Sequence, residues 1–237
     1  MDSNLFCPLS HRLMENPVIL NGVTYDRESI KQWLQQHNTC PLSGETLMDR
    51  SLTPNHPLRI AILNNLSKHG GGCFSPDTEI IDFHNHSIPI HEVKMGMMLK
   101  YGFKVKCVIR FRVHGAYICR IPKEDKFGVT PFHPLRLPNE KWFFPHTKYE
   151  FSFLEHIEEV YNLILETGHF VETCSLGIQC ITLGHSMTKG IEKHPYFGTK
   201  KVIMDMERKF GFDKGLVVFA HGSFIRNSET GLIENIQ

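Results

Sequence analysis

The sequence predicts an α+β protein in which a small mixed domain precedes a larger, mainly-β body. The N-terminal part combines a hairpin signal, Asn21-Gly22 between two short apolar runs, with two helical patterns. Apolar side chains occupy alternate positions from 105 to 113, and charged side chains stand opposite them at 104, 106, 110 and 112, which is typical of a half-buried strand. Between these parts, residues 64–72 form a polar, glycine-rich stretch that indicates a domain boundary.

Length and composition are those of a folded protein with two domains. The chain has 237 residues, 41% of them hydrophobic. A formal net charge of +1 argues against a general binder of nucleic acid or membrane surfaces, and no apolar run reaches the length of a membrane span. Seven cysteines at irregular spacings do not suggest a disulfide framework, and the start Met1-Asp2-Ser3-Asn4 is unlike a signal peptide. We therefore expect a cytoplasmic protein.

The elements of the first domain follow from local signals. Residues 18–20 and 23–25 flank the Asn-Gly turn as the two strands of a hairpin. Asp26 is placed to cap a first helix, and Asn55 a second helix with Pro57 in its first turn. The apolar face of the first helix is formed by Ile30, Trp33 and Leu34. The apolar stripe of the second helix is formed by Leu58, Ala61, Ile62 and Leu66.

Cysteine-proline pairs at Cys7 and Cys40 raise the question of a zinc site. Structural zinc sites are commonly built from Cys-x-x-Cys pairs. The partner positions here are Ser10 and Ser43, so neither pair exists. The sequence therefore predicts a domain that needs neither a metal nor another cofactor.

This first domain resembles the U-box, a metal-free relative of the RING finger with a ββα core. The motifs Met-x-x-Pro-Val, Thr-Tyr-Asp-Arg, Ile-x-x-Trp-Leu and Pro-Asn-His-x-Leu-Arg carry the resemblance, and they begin at Met14, Thr24, Ile30 and Pro54. The resemblance implies a ubiquitin ligase, a transferase that has no catalytic residue of its own. Such a domain binds a ubiquitin-charged conjugating enzyme and promotes ubiquitination of a substrate, which this sequence does not identify.

The U-box resemblance also implies which residues bind the conjugating enzyme. Carried over to this sequence, they are Leu9 and His11 in a first loop, Trp33 on the first helix and Pro41 in a second loop. Gly44 stands where some family members place an arginine that clamps the charged enzyme. This departure concerns the strength of activation rather than docking.

The glycine run Gly70-Gly71-Gly72 ends directly at Cys73. A thiol next to an unhindered glycyl carbonyl can attack its own peptide bond and convert the amide to a thioester. Taken alone, this stretch is better interpreted as a plain linker that ends at a buried cysteine.

Three later stretches favour the chemical interpretation. They are Thr130-Pro131-Phe132-His133, the run 160–163 with His169 after it, and the run 181–185 that ends at His185. Together with Cys73, and in this order, they resemble the Hint superfamily of self-processing domains found in inteins, bacterial intein-like proteins and hedgehog proteins. The resemblance covers residues 73–186 and implies a horseshoe-shaped, mainly-β fold.

The Hint resemblance implies a role for each matching residue. Cys73 is the nucleophile that attacks the Gly72 carbonyl, so the scissile bond joins Gly72 to Cys73. His133 protonates the departing amine and Thr130 orients the amide. The two further histidines of the family match His169 and His185.

The residue after His185 is Ser186, where splicing inteins have an asparagine whose amide cyclises. Serine lacks that amide, so we expect autocatalytic cleavage or acyl transfer through a thioester, without splicing. The acceptor of the acyl group stays open. A two-domain binding scaffold with an inert Hint part is the alternative function.

The predicted domains are 1–69, the glycine linker 70–72, the self-processing domain 73–186 and a C-terminal extension 187–237. The extension is a short α/β tail, with a helix at 200–210 and a strand at 216–219. The apolar residues of the predicted helix are Val202, Ile203, Met206 and Phe210. The extension resembles the one after Hint domains in proteins with a von Willebrand A-type domain.

Overall fold

The structure is a computed structural model of the 237-residue chain. It describes residues 3–12, 14, 16–67, 72–122, 124–173, 176–187, 189–191, 193–226 and 233–237. The chain divides into two compact units, Met1–Leu66 and Ser67–Gln237. Gly70 and Gly71 of the predicted linker lie outside the described residues. No helix among the described residues is long and apolar enough to cross a membrane.

The first unit is built on a three-stranded antiparallel sheet and two helices. Its elements are β1 (Pro17–Leu20), β2 (Val23–Asp26), α1 (Arg27–Gln36), β3 (Thr53–Pro54) and α2 (His56–Ser67). The strand order is β2-β1-β3. Asn21 and Gly22 join β1 to β2 with φ angles of 48° and 78°. Positive φ at both positions is what a tight two-residue hairpin requires, so the predicted hairpin is confirmed.

Both predicted helix caps are confirmed. The Asp26 carboxylate accepts a hydrogen bond from the Glu28 N–H at 3.3 Å, and Asn55 Oδ1 accepts one from the Leu58 N–H at 3.1 Å. Ile62 is buried as predicted, but Ala61 is exposed, so the predicted apolar stripe of α2 was too wide. Ala61 lies about 100° around the helix from Ile62 and therefore points away from the buried face. The Leu66 side chain lies outside the described part of the structure.

The second unit consists mainly of short strands. Its strands are β4 (Glu79–Ile81), β5 (Ser87–Pro89), β6 (Met98–Leu99), β7 (Phe103–Arg112), β8 (Ala116–Cys119), β9 (Leu135–Arg136), β10 (Phe151–Leu154), β11 (Glu159–Leu165), β12 (Phe170–Thr173), β13 (Ile178–Ile181), β14 (Leu216–Phe219), β15 (Phe224–Arg226) and β16 (Ile233–Ile236). Its one α-helix among the described residues is α3 (Lys200–Glu207). The predicted mainly-β body is confirmed.

Two sheets organise this unit. One has the order β11-β7-β14, with β6 also paired to β7, and the other has the order β5-β4-β12-β13-β9. The β14–β7 pair is parallel, and the other pairs in the two sheets are antiparallel. Strands β8 and β10 form one antiparallel ribbon, and β15 and β16 form another.

Strand β7 is buried on both faces near its middle. Cys107, Ile109 and Phe111 share one apolar cluster as the alternation predicts, but Val105 lies in the other cluster, because the register of β7 against β11 shifts between Cys107 and Val105. Val108, on the opposite side from Ile109, is also buried and belongs to the same cluster as Val105. The strand therefore separates two apolar layers, so its sequence is less strictly alternating than that of a strand with one wet face.

The C-terminal extension is built into the second unit. Val202 and Met206 of α3 are fully buried, and β14 adds a parallel strand beside β7. The helix ends at Glu207 rather than at 210, and Phe210 is 91% exposed, so the predicted end of the helix was wrong. The chain turns away at Gly211, whose φ of +92° is left-handed, and this turn takes Phe210 off the buried face.

Candidate active site

The peptide bond between Gly72 and Cys73 is hydrogen-bonded on both its sides. The Cys73 N–H donates to Thr130 Oγ1 at 2.9 Å, and the Asn162 Nδ2 amide donates to the Gly72 carbonyl. The Cys73 carbonyl in turn accepts from the Thr130 N–H at 2.9 Å. These contacts fix one amide between two side chains that are distant in sequence.

Asn162 is held in position by strand β11. Phe74 follows Cys73 in the chain, and Tyr161 precedes Asn162. These two residues exchange backbone hydrogen bonds at 2.8 and 2.9 Å, which brings β11 alongside the chain after Cys73. Asn162 Oδ1 accepts from the Leu163 N–H at 2.7 Å, so the NH₂ group is the part that faces the Gly72 carbonyl. Asn162 is buried and was not predicted as a site residue. A polar side chain within an apolar strand was the signal that could have found it.

His133 packs against Gly72 with one ring nitrogen available. The ring is fully buried, and its Nε2 lies 2.8 Å from the Ile181 carbonyl. Because a carbonyl only accepts, Nε2 carries the proton and Nδ1 has the lone pair. Nδ1 has no hydrogen-bond partner among the described residues. A β-carbon at position 72 would lie 3.2 Å from the Cα and Cγ atoms of His133, so glycine permits this approach.

Burial shifts the pKa values of His133 and Cys73 in opposite directions. It lowers the pKa of His133 to about 4, against the effect of the Ile181 and Cys73 backbone, so the ring is neutral at pH 7. Burial raises the pKa of the Cys73 thiol to about 12. The thiol belongs to the same apolar cluster as Leu183 and Phe197. It is therefore protonated at rest and needs a base before it can attack.

The two other predicted histidines differ in where they lie relative to this peptide. His185 lines the same cleft as Gly72 and His133, and its Nδ1 accepts from the Met187 N–H at 3.0 Å. Burial, followed by the nearby His169 and His133, lowers the pKa of His185 to about 4. His169 is not among the described residues that line the cleft. Burial lowers its pKa, and its carbonyl accepts from the Thr182 N–H at 3.0 Å.

A cleft of about 120 Å³ lies beside the Gly72 carbonyl. One side is formed by the body of the unit, including Phe132, His133 and Asn162. The C-terminal extension contributes Ile191, Lys193, His194, Pro195, Phe197 and Ile233. The extension therefore takes part in the candidate site as a wall of the cleft. Ser186, directly before the extension, has a φ of 58°, and its N–H donates to the Gly198 carbonyl at 2.8 Å.

In the first unit, the predicted docking residues lie on two loops of the same design. The His11 N–H donates to the Cys7 carbonyl at 2.8 Å, and the Gly44 N–H donates to the Cys40 carbonyl at 2.9 Å. His11 and Gly44 both have positive φ, 55° and 71°. Leu9 and Pro41 are half-buried within these turns, and His11 is exposed.

Trp33 connects α1 to the start of the second loop. Its Nε1 donates to the Thr39 carbonyl at 2.8 Å, and its ring stacks on His37 with centroids 3.9 Å apart. The side chain is half-buried. Trp33 thus holds the loop in place and leaves part of its side chain exposed.

The two loop cysteines are engaged in hydrogen bonds within the unit. Cys7 Sγ accepts from the Asp26 N–H at 3.3 Å, and the Tyr25 hydroxyl lies 3.6 Å from Cys40 Sγ. Hydrogen bonds from Ser43, where a Cys-x-x-Cys pair would have its second cysteine, lower the pKa of Cys40 to about 7. Among the described residues, no three His, Cys, Asp or Glu side chains are grouped so that they could hold a metal ion.

Two family models match the chain. One, described as a Hint-domain, matches residues 72–235, and the other, described as a U-box domain, matches residues 3–71. The U-box domain-containing protein 4 of Oryza sativa subsp. japonica is 46% identical over 74 residues, which are 30% of this chain and 10% of that protein. The E3 ubiquitin-protein ligase PUB23 of Arabidopsis thaliana is 48% identical over 56 residues, which are 22% of this chain and 14% of that protein. This chain thus matches only a small part of the length of these relatives.

Two solved structures of intein type are also similar to the chain. A bacterial intein-like domain from Clostridium thermocellum aligns with a TM-score of 0.38 and 10% identity, over 48% of this chain and 100% of that one. A DnaB intein from Synechocystis aligns with a TM-score of 0.35 and 17% identity, over 47% of this chain and 99% of that one.

Proposed function

This chain belongs to the Hint-domain family and begins with a U-box domain, and we propose that it joins a ubiquitin ligase module to a domain that cleaves its own chain at Gly72–Cys73. One observation supports the cleavage above all others. The scissile amide is hydrogen-bonded at its N–H by Thr130 and at its carbonyl by Asn162, while the ring of His133 packs against Gly72. An acceptor at the N–H and a donor at the carbonyl of one amide are typical of a site that acts on it.

The proposed reaction begins with the transfer of the thiol proton. Nδ1 of His133 accepts this proton, and Cys73 Sγ forms a bond to the Gly72 carbonyl carbon. Asn162 stabilises the negative charge that develops on the carbonyl oxygen. The C–N bond then breaks, and His133 delivers its proton to the departing amine of Cys73. A protonated imidazole with a pKa of about 4 is a strong acid, which favours this second transfer.

The product is a thioester between Gly72 and Cys73, and we expect it to be cleaved rather than spliced. Splicing needs a side-chain amide after His185 that can cyclise, and Ser186 has only a hydroxyl group. Residues 1–72 would therefore be released or passed to an acceptor. The C-terminal extension would stay joined to the body.

The first unit is proposed to bind a ubiquitin-conjugating enzyme and promote protein ubiquitination. The relatives whose names describe E3 ubiquitin-protein ligases support this. Leu9 and Pro41 on the two matching loops, together with His11 and Trp33, are the proposed contacts. The unit would act by holding the charged enzyme in a reactive geometry, without a metal and without a nucleophile of its own.

A binding scaffold with an inert second unit is the other candidate function. The observation that favours it is the burial of the Cys73 thiol, whose raised pKa makes it a poor nucleophile unless a base takes its proton. Only His133 Nδ1 is proposed for that task. The two candidates therefore differ in whether the folded chain reacts.

The proposal is tested by incubating the refolded full chain with dithiothreitol and following its mass. The wild type should yield residues 1–72 and 73–237, with no product that joins residues 1–72 to the extension. Cys73→Ala should stay whole, and His133→Ala should react on the order of a hundredfold more slowly. Cys107→Ala, at a buried cysteine of β7, is the matched control and should react like the wild type. Cleavage of Cys73→Ala at the wild-type rate would refute the assigned nucleophile.

A further inference from the structure

We propose that the acyl acceptor is a water molecule held in the cleft by His133 Nδ1 and Thr182 Oγ1, so that the second unit hydrolyses its own thioester. This inference rests on the proposed function and identifies the acceptor for the same site. It starts from two buried polar atoms that the thioester-forming step does not fully explain.

Both atoms lack a hydrogen-bond partner among the described residues. They are Thr182 Oγ1 and His133 Nδ1, in side chains that are 2% and 0% exposed. Both residues line the cleft that Gly72 also lines. Because buried polar atoms are nearly always paired with protein or with ordered water, two such atoms on one cleft indicate a small polar ligand.

The backbone fixes Thr182 close to His133. The Ile181 carbonyl accepts from His133 Nε2 at 2.8 Å, and Thr182 follows directly, with its N–H bonded to the His169 carbonyl at 3.0 Å. Both ends of this short segment are therefore anchored. A hydroxyl and an imidazole lone pair are suited to one water molecule, since the hydroxyl can either donate or accept and the imidazole accepts.

The size and lining of the cleft favour a small acceptor. Its volume is about 120 Å³, and a water molecule takes roughly 30 Å³ of liquid. Much of the remaining surface is apolar, including Phe132 and Phe144 from the body and Ile191 and Phe197 from the extension. Such walls offer few hydrogen-bonding groups to a peptide or another polar chain. Besides His133 and Thr182, the polar residues of the lining are Asn162, whose amide donates to the Gly72 carbonyl, His185, whose Nδ1 accepts from the Met187 N–H, Lys193 and His194.

The proposed step is balanced within the site. The water oxygen forms a bond to the Gly72 carbonyl carbon, and the bond from that carbon to Cys73 Sγ breaks. One water proton passes to His133 Nδ1 and from there to the departing thiolate. The products are residues 1–72 with a carboxylic acid, which gives its proton to solvent at neutral pH, and residues 73–237 with a free thiol and amine. Thr182 touches the attacking water and orients it.

Substitution of Thr182 tests this assignment in the refolded full chain. Without an added nucleophile, Thr182→Val should hydrolyse about tenfold more slowly than the wild type, since it loses one hydrogen bond to the attacking water. With concentrated hydroxylamine, which replaces water as the attacking group, its cleavage should stay within about threefold of the wild type. Thr182→Ser keeps the hydroxyl and should hydrolyse at nearly the wild-type rate. Thr53→Val, at an exposed threonine of the first unit, is the matched control.

Hydrolysis in heavy-oxygen water, followed by mass measurement of the fragments, provides an independent test. The fragment of residues 1–72 from the wild type should gain one heavy oxygen atom at its Gly72 carboxylate. An unchanged hydrolysis rate in Thr182→Val would overturn the assignment, and so would loss of both reactions, because Thr182 would then be needed to form the thioester. If the wild type reacts with hydroxylamine but never with water, only this inference fails. If it reacts with neither, the proposed function itself fails.

Discussion

The two units use the same residue type, cysteine, for different ends. In the first unit, Cys7 and Cys40 begin two short loops whose hydrogen bonds close within five residues. In the second unit, Cys73 is held by Thr130, 57 positions away, and its neighbour Gly72 by Asn162, 90 positions away. The first arrangement shapes a surface, and the second surrounds one peptide bond.

The pKa values of these thiols run opposite to the reactivity that we propose. Hydrogen bonds from Ser43 lower the pKa of Cys40 to about 7, whereas burial raises that of Cys73 to about 12. Yet it is Cys73 that lies beside an unhindered carbonyl with a donor on its oxygen. Geometry around the carbonyl therefore identifies the candidate nucleophile, and the neighbouring imidazole would compensate for the raised pKa.

If the first unit works only through its surface, then changing that surface should abolish ubiquitin transfer and leave cleavage intact. Leu9→Ala and Pro41→Ala should each lose autoubiquitination with a conjugating enzyme, because both residues lie in the proposed contact loops. Met48→Ala removes a side chain that is 99% exposed outside these loops and is the matched control. The assay should run equally well in a strong chelator. Activity lost on chelation would instead indicate a required metal.

If the second unit works through one enclosed peptide, the donor to its carbonyl should matter nearly as much as the nucleophile. Asn162→Ala should slow thiol-induced cleavage by about a hundredfold to a thousandfold, as loss of an oxyanion donor does elsewhere. Autoubiquitination should not change. Asn162→Asp keeps the size but loses the NH₂ donor, and it should be similarly slow. A variant without the amide that cleaves at the wild-type rate would remove Asn162 from the mechanism.

The enclosed histidines should also make the stability of the second unit depend on pH. The folded pKa values of His133 and His185 are about 4, below the usual value near 6.5, so the unfolded chain takes up protons first as pH falls. The stabilisation that the two neutral rings contribute to the free energy of unfolding is complete above about pH 6.5 and is lost progressively toward pH 4. For His133 it is on the order of 3 kcal/mol.

Urea unfolding followed by fluorescence measures this loss. In Trp33→Phe the remaining tryptophan is Trp142, which reports on the second unit alone. Its unfolding midpoint should fall between pH 7 and pH 4.5, and His133→Gln should reduce the fall. A midpoint that stays constant over this range would show that these rings are not held neutral.

Local signals were enough to predict much of the first unit. The Asn21-Gly22 turn and the caps at Asp26 and Asn55 depend on residues a few positions apart, and all three were predicted. The end of α3 was missed because Phe210 continues the helical pattern, although Gly211 turns the chain away.

The site around Gly72–Cys73 was predicted only in part, because it is built from residues that are far apart in the sequence. Thr130 and His133 were expected beside Cys73 from the order of the motifs. Asn162 and Thr182 were not, because their importance depends on where β11 and the chain after β13 lie in space. Both residues lie within the runs 160–163 and 181–185 that carry the resemblance, but the sequence assigned no role to either.

The central claim, that Gly72–Cys73 is a reactive bond in the folded chain, is tested most directly with hydroxylamine and intact-mass measurement. The wild-type chain, kept folded at neutral pH, should give residues 1–72 ending in a hydroxamic acid at Gly72, together with residues 73–237. The same treatment in denaturant should leave the chain whole, since the activating contacts are then lost. A folded wild-type chain that stays whole, or that is cut at another bond, would contradict the account and favour the inert scaffold.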